Sequence, residues 1–455
     1  MIELAPERIA EAAGARVVRA EEGGEPHPRR AEADSRRARP GDLFFGLRGE
    51  RTDGGRFAAE VLRAGAWGAG VSPETSADAA AAGRGWVFES EDPLRSLQDL
   101  AREWRRALGA RVVGVTGSTG KTSVKDITRA LLPWRVHASP ENFNTEVGLP
   151  LAVLGAEPGT EVLVLEMAMR GMGQIAELCA IAEPDVGAIT NVGPVHLELL
   201  GTIEAIAEAK AEILQGLGPE GRAVVPADAE ALEPHLGDEL PTITFGPGGD
   251  VFAREVERRE GATVALIVTP AGEARFELPF TEEHNLTNAL AAVAIGVALG
   301  AEPAAMVPRA ASISFSRLRG ERLQLPGDIA LVNDCYNANP ISMRAALKNL
   351  ATLSARRHVA VLGGMAELGP EGPAYHREIG ALARGLGIGP VIGVGELARD
   401  YAPDEWAPDP QAAVEVADGL LESGDAVLVK GSRSVGLEAF TEGLRARRGG
   451  GGADA

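Results

Sequence analysis

Lysine is scarce in this chain, cysteine scarcer, and long apolar runs are missing. Of the 45 basic residues only five are lysine, namely Lys121, Lys125, Lys210, Lys348 and Lys430. With Ala and Gly so abundant, a GC-rich genome that drifts lysine towards arginine explains the bias. A lysine that survives it is a candidate for a position where ammonium chemistry is wanted, because guanidinium is not interchangeable with it, with chance as the alternative at each position. Two cysteines, Cys179 and Cys335, exclude a disulfide framework and a Cys-rich zinc site, and suit a reducing compartment. Basic charge is in deficit as well. With 65 acids the net charge is −20, which argues against a bulk electrostatic grip on nucleic acid or anionic lipid and leaves room only for a local basic pocket. The longest apolar stretch, 289–301, is too short for a membrane span of about 20 residues. Residues 1–7 lack the basic start and apolar core of a signal peptide. The expectation is a cytoplasmic protein that does not insert into membranes.

What is present is an ordinary globular composition, 45% hydrophobic and 24% charged over 455 residues, enough for two to four domains. Three blocks separate on pattern. Residues 1–108 carry short apolar runs between turn-rich segments and form a small α/β domain. Residues 109–317 alternate strand and helix, with strands at 111–115, 161–166 and 186–190 and helices at 122–132 and 173–181. Such alternation implies a parallel sheet wrapped by helices. Residues 318–447 restart the pattern, with strands at 329–333, 358–362, 391–394 and 426–429, giving a second, smaller doubly wound domain. A disordered tail is expected over 448–455.

The first strand of the central block runs into Thr116-Gly117-Ser118-Thr119-Gly120-Lys121-Thr122-Ser123 and then a helix. Small residues let backbone N–H groups curl around phosphate oxygens, and the helix start adds positive potential. Lys121 would reach the terminal phosphates and the Thr122 hydroxyl would sit on Mg²⁺. The strict spacing of this motif fails by one position, since Val115 stands where the first glycine belongs. An ATP or GTP site is expected. Glu166 ends the next strand and His196 lies just beyond the one after, so both fall at the carboxyl ends of strands beside the phosphate loop, able to ligate Mg²⁺. Lys210 falls within an apolar helical stripe of Ile203, Ile206, Ile213, Leu214 and Leu217, with Glu204, Glu208 and Glu212 on the opposite, wetted face. A lysine there is expensive unless it is paired, modified or at the edge of a polar pocket, or snorkels outwards.

Taken together these residues resemble the Mur ligase superfamily, over nearly the whole chain. The resemblance rests on residues 114–123, 141–150 (Glu-Asn-Phe-Asn-Thr-Glu-Val-Gly-Leu-Pro), 166–175, 209–213 and 284–288 in the central block, and on 333–340, 364–369 and 429–433 after it. In the first block it rests on Asp34-Ser35-Arg36 and on residues 40–53, which look like a UDP-sugar domain. The stretch Tyr336-Asn337-Ala338-Asn339-Pro340 resembles the member that adds D-alanyl-D-alanine to a muramoyl tripeptide. The resemblance implies that ATP phosphorylates the terminal carboxylate of UDP-MurNAc-tripeptide and that the dipeptide amine displaces phosphate, in a monomeric enzyme binding no nucleic acid. It implies catalytic roles for Lys121, Lys210 and His196. Metal ligation falls to Thr122, Glu166, His196 and a carbamylated Lys210. ATP contacts fall to residues 117–123, including Ser118, with His284 and Asn288 near the adenine and Arg322 and Asp334 from the third block. Substrate contacts fall to Ser35, Arg36, Asn144, Thr145, Asn337, Asn339, Lys430 and Arg433. Two positions depart from the pattern: Gly55 stands where the family often has histidine, and Ala168 where glycine is common. The alternatives are a sibling ligase adding the third peptide residue, a folylpolyglutamate synthetase-like ligase, and a non-catalytic P-loop switch. The third-residue enzyme typically carries Asn-Pro-Arg, which is not found here, and a switch leaves Lys210 and the last block unexplained.

Overall fold

The computed structural model describes residues 3–21, 23–140 and 142–449. Glu141, the first residue of one quoted motif, and the tail from Gly450 onward lie outside them. The fold is α/β, built on four sheets.

The first sheet runs, in spatial order, Arg16–Arg19, Trp86–Glu89, Gly68–Val71, Leu43–Phe45 and Ala31–Glu32, with only the Arg16–Arg19 edge antiparallel. Its strands are short and fully apolar at the centre, which suits a sheet covered on both faces. Gly55 explains one departure from the family pattern. A Cβ there would collide with the Thr75 hydroxyl, while the Gly55 N–H donates to Asp53 Oδ1 at 2.8 Å, so a histidine cannot be seated without moving the turn. The helix Pro93–Leu108 starts at an Asp92 cap, ends on left-handed Gly109, and buries Leu97, Leu100 and Trp104. Its apolar face joins one core with the helices Gly148–Leu154 and Gln174–Ala182, so the first block is packed onto the second through this helix.

The central sheet is six-stranded and parallel, in the order Thr242–Phe245, Arg222–Pro226, Val186–Ile189, Arg111–Thr116, Val162–Glu166 and Val136–Ala138. The phosphate-loop strand therefore lies between the strands that lead to Glu166 and to His196. On one face pack the helices Lys121–Leu131 and Glu283–Ala298. A three-stranded antiparallel sheet, Phe252–Arg259, Ala262–Thr269 and Gly272–Leu278, closes the far side of that core with Phe276 and Leu278. The apolar run near 289–301 is the buried helix Glu283–Ala298, and no helix among the described residues is long and apolar enough to cross a membrane.

The last sheet is doubly wound, in the order Glu321–Leu325, Ile329–Asn333, Asp425–Lys430, Arg357–Gly363, Val391–Val394 and Glu405–Ala407, with only the first strand antiparallel. Separate apolar clusters cover its two faces. Arg448 and Gly449, expected in the tail, lie within the described residues. Arg448 still donates to Asp418 Oδ1 at 2.8 Å and to Leu421 O at 3.2 Å, because the helix Glu438–Arg447 sets its side chain over the end of the preceding one.

Candidate active site

A cleft of about 1070 Å³ opens between the central and last sheets, at the carboxyl ends of both sets of strands. Of the residues singled out from sequence, Ser118, Thr119, Gly120, Lys121, Thr122, Ser123, Asn144, Thr145, Glu166, His196, His284, Asn288, Arg322, Asp334, Asn337, Asn339 and Lys430 line it. Gly117, Lys210, Ser35, Arg36 and Arg433 do not.

The phosphate loop owes its shape to glycine and to a strap. Gly120 has φ +78°, and a Cβ on it would lie 2.6 Å from Asn288 Oδ1. Asn288 thus abuts the phosphate loop. Asn191 fixes the loop from the neighbouring strand end: its Oδ1 accepts from Thr119 N at 2.9 Å, its Nδ2 donates to Thr119 Oγ1 at 2.6 Å, and its carbonyl accepts from Ser118 N at 3.1 Å. Two loop amides are consumed in this way. The orphan N–H groups at the start of the helix Lys121–Leu131 are left to face an anion. Lys121 Nζ donates to Gly117 O at 2.7 Å, so Gly117 acts through its carbonyl. Burial, with Arg319 adding to it, holds the Lys121 ammonium below the ordinary lysine range, against the pull of Glu166. An incoming polyphosphate would reverse that balance.

Beside the loop, Thr122 Oγ1 donates to Glu166 Oε2 at 2.7 Å and Asn144 Nδ2 donates to Glu166 Oε1 at 2.8 Å. Oxygen donors of this kind suit a hard divalent cation, but no group of three or more His, Cys, Asp or Glu side chains able to hold a metal occurs among the described residues. A Mg²⁺ here would take its remaining ligands from phosphate and water, as it commonly does. His196 faces the same cleft and hydrogen-bonds through Nδ1 to Glu367 of the last sheet rather than to Glu166. Burial lowers its basicity below the ordinary histidine value; Glu367 opposes this, and Lys121 and Lys210 reinforce it.

Lys210 is buried at 2% exposure on the helix Ile203–Gln215, near Lys121 and His196, and makes no ion pair among the described residues. Burial, with the Lys121 charge added, pushes its ammonium well below the usual range. The glutamate face of that helix needs correcting. Glu204 and Glu208 are exposed, whereas Glu212 is buried and accepts from Gly173 N at 2.5 Å and Ala176 N at 3.0 Å. Successive four-residue steps rotate about 40° around a helix, so the row drifts inward and Glu212 ends as the anionic cap of the helix Gln174–Ala182.

From the other side, Asp334 Oδ2 accepts from Lys430 Nζ at 2.6 Å, and Asn337 O accepts from the same ammonium at 3.0 Å. Lys430 thereby ties Asp334 to the Asn337 backbone in the cleft wall. His284 lies near both charges and is held below its usual range, chiefly by burial. Asn339 serves as the capping residue of the helix Pro340–Thr352, accepting from Ser342 N at 2.9 Å. Arg322 Nη2 donates to Glu282 Oε1 at 2.7 Å across the junction. Burial is the largest influence on the Glu282 carboxyl and raises it, but the Arg322 hydrogen bond and charge, a backbone hydrogen bond and His284 together outweigh it and leave the group below its ordinary value. Arg433 pairs with Glu438 at 3.0 Å outside the cleft. Ser35 and Arg36 belong to the first block, where Arg36 holds Asp34 down at about 2. Sequence reasoning missed Arg319, Tyr336 as a side chain, Asn191 and Glu367. Arg319 lies 4.2 Å over the Tyr336 ring and near Lys121, and lines the cleft with Arg322. Its neighbours Leu318 and Gly320, both with positive φ, put it on a turn that pattern alone does not announce.

Residues 115–296 match the Mur ligase middle domain and 318–433 the Mur ligase glutamate ligase domain. A UDP-N-acetylmuramoyl-tripeptide–D-alanyl-D-alanine ligase of Bacillus subtilis is 34% identical, over 90% of this chain and 92% of its own. Among solved structures, MurF of Acinetobacter baumannii superposes with TM-score 0.87 at 27% identity over 97% of this chain and 98% of its own. MurF ligase of Thermotoga maritima in complex with ADP has TM-score 0.81 and 32% identity over 93% and 98%. The chain belongs to the Mur ligase family and, within it, to the MurF branch.

Proposed function

We propose that the protein joins D-alanyl-D-alanine to UDP-N-acetylmuramoyl-tripeptide at the expense of ATP, completing the pentapeptide precursor of peptidoglycan in the cytoplasm. The observation that carries the reading is the meeting of the phosphate loop, Glu166 and His196 with Tyr336, Asp334 and Lys430 in one cleft, in a chain so similar to enzymes of that name. Residues 1–108 hold the UDP-sugar end with Ser35 and Arg36, residues 109–317 bind ATP, and 318–447 receive the dipeptide.

In the reaction the helix-start amides and Lys121 neutralise the transferring phosphoryl group, and the tripeptide carboxylate attacks the terminal phosphorus of ATP, breaking its bond to the β-phosphate oxygen, to give an acyl phosphate and ADP. The dipeptide amine then forms the amide and phosphate leaves. Lys121 must swing from Gly117 O to the phosphates, and Arg319 supplies a second cation from the opposite wall. Thr122, Glu166 and His196 would hold Mg²⁺, which supplies charge neutralisation. Lys210 makes no ion pair among the described residues, and burial lowers the pKa of its ammonium, which favours the neutral amine that reacts with CO₂. Its amine would give up one proton to form a carbamate, an anion matched to the surrounding cations.

The test is phosphate release coupled to formation of the pentapeptide product by mass. It should require UDP-MurNAc-tripeptide, D-Ala-D-Ala and Mg²⁺ together, and chelation should abolish it. Turnover with glutamate or a folate in place of the dipeptide would overturn the reading.

A further inference from the structure

Two residues that are not glycine adopt left-handed backbone and touch each other across the cleft: His196, with φ 54°, and Glu367, with φ 62°. Such conformations persist where the surroundings over-determine them. The surroundings of Glu367 do so. The Tyr401 hydroxyl donates to Gly363 O at 3.0 Å and Met365 N donates to His376 Nε2 at 2.8 Å. Ser432 N donates to Gly364 O at 3.0 Å, and Ala366 N donates to Ser432 Oγ at 2.8 Å. Every residue from Gly363 to Ala366 is thus fastened before the chain reaches Glu367. Across the cleft, Glu198 N donates to Glu367 O at 3.4 Å, and a Cβ on Gly369 would lie 3.3 Å from Glu198 Cα. The two loops are seated backbone against backbone, with the Glu367 carboxylate against the imidazole and its second oxygen 3.8 Å from Arg170 Nε.

We infer that Glu367 is a positioning residue for His196: it accepts a hydrogen bond from Nδ1–H, fixes the ring in the Nδ1–H form, and leaves Nε2 turned to the reaction centre. The inference rests on the role given to His196 above. Which ring nitrogen keeps a lone pair is set by the hydrogen bond the other one makes. A carboxylate behind a ligating imidazole also fixes the ring plane and raises its basicity. Nε2 has no hydrogen-bond partner among the described residues. Because Glu367 hangs from the last sheet and His196 from the central one, the imidazole is prepared only when the two sides of the cleft meet.

The experiment uses the full chain with ¹⁵N-labelled histidine and no metal, reading ring-nitrogen shifts, with His196→Gln identifying the His196 signals. Wild type should show the Nδ1–H form. Glu367→Ala should move His196 towards the Nε2–H form and lower kcat about 10- to 100-fold, with the KM for ATP and dipeptide changed less than about twofold. Glu367→Gln, which keeps an acceptor oxygen, should restore both the tautomer and most of kcat. An unchanged tautomer in Glu367→Ala, wild-type kcat, or a rise in KM as large as the fall in kcat would overturn the inference, the last marking a merely structural latch. An active His196→Gln enzyme would instead overturn the role of His196 itself. An inactive one beside a fully active Glu367→Ala removes this inference alone.

Discussion

At the residue scale the scarcity of lysine proves informative. Lys125, Lys210 and Lys430 are buried and Lys121 faces the cleft, leaving only Lys348 on the surface. Lys125 is structural, donating to Ser139 O at 2.9 Å and pairing with Asp126 at 3.2 Å. For Lys121 the expected outcome of Lys121→Ala is loss of phosphoryl transfer by a factor of at least about 10³, the order of one preorganised charge contact, with an unchanged circular dichroism spectrum. Turnover at the wild-type rate would remove the ATP-site reading. Lys210 supports a sharper pair of outcomes. Lys210→Arg should be nearly inactive, since guanidinium cannot form a carbamate. Lys210→Ala should be inactive as well, yet regain part of its rate in millimolar acetate or formate, which would fill the vacated anion position. An arginine variant with most of the wild-type kcat would rule out the carbamate.

At the scale of elements, the legible parts were those whose burial leaves a continuous apolar run. The strands Val162–Glu166, Ile329–Asn333 and Val391–Val394 lie within a residue of their expected limits, because a parallel strand covered on both faces is written in uninterrupted Val, Leu and Ile. The hairpin sheet was illegible. Phe252–Arg259 is exposed over six of its eight residues and rich in charge, so neither alternation nor apolar content betrays it. In the site, sequence pattern located groups on strand ends but not the crossings between sheets that bring Glu367 and Arg319 inward, nor the side-chain strap that Asn191 makes to the loop beside it. Asn339 and Glu212 show a further limit, since a polar residue near a site can be spoken for by a helix start. Gly120 tests the loop as an element. Gly120→Ala puts a methyl group 2.6 Å from Asn288 Oδ1 at a φ that L-residues rarely adopt. The KM for ATP should rise at least about tenfold, equivalent to ~1.4 kcal/mol of strain. Adding Asn288→Ala should recover only the steric part.

At the scale of the whole molecule, the cleft is shared between two bodies joined at one short segment. Asp126 Oδ2 accepts from Ser316 N at 2.9 Å and Ser316 Oγ at 2.8 Å, pinning the chain to the central helix just before it leaves. Leu318 and Gly320 follow with φ 63° and 69°, and Arg322 then crosses back to Glu282. A fastened point followed by two left-handed residues is the anatomy of a hinge. Closure about residues 317–322 on binding an ATP analogue with UDP-MurNAc-tripeptide should shrink the radius of gyration in small-angle scattering, and identical profiles with and without ligands would count against it. The crossing ion pair adds a pH dependence whose sign is fixed. The Glu282 carboxyl is depressed in the folded state, so its contribution to stability is complete above the unfolded value of about 4.3 and is lost as the pH falls through the lower folded value. Between about pH 5 and 8 the contribution of this pair should therefore be insensitive to pH, while salt weakens it because Arg322 is half exposed. Arg322→Ala should leave the ligand-bound radius larger at low ionic strength and converge on wild type as salt rises. A variant whose difference from wild type grew with salt would show that Arg322 acts through packing rather than charge.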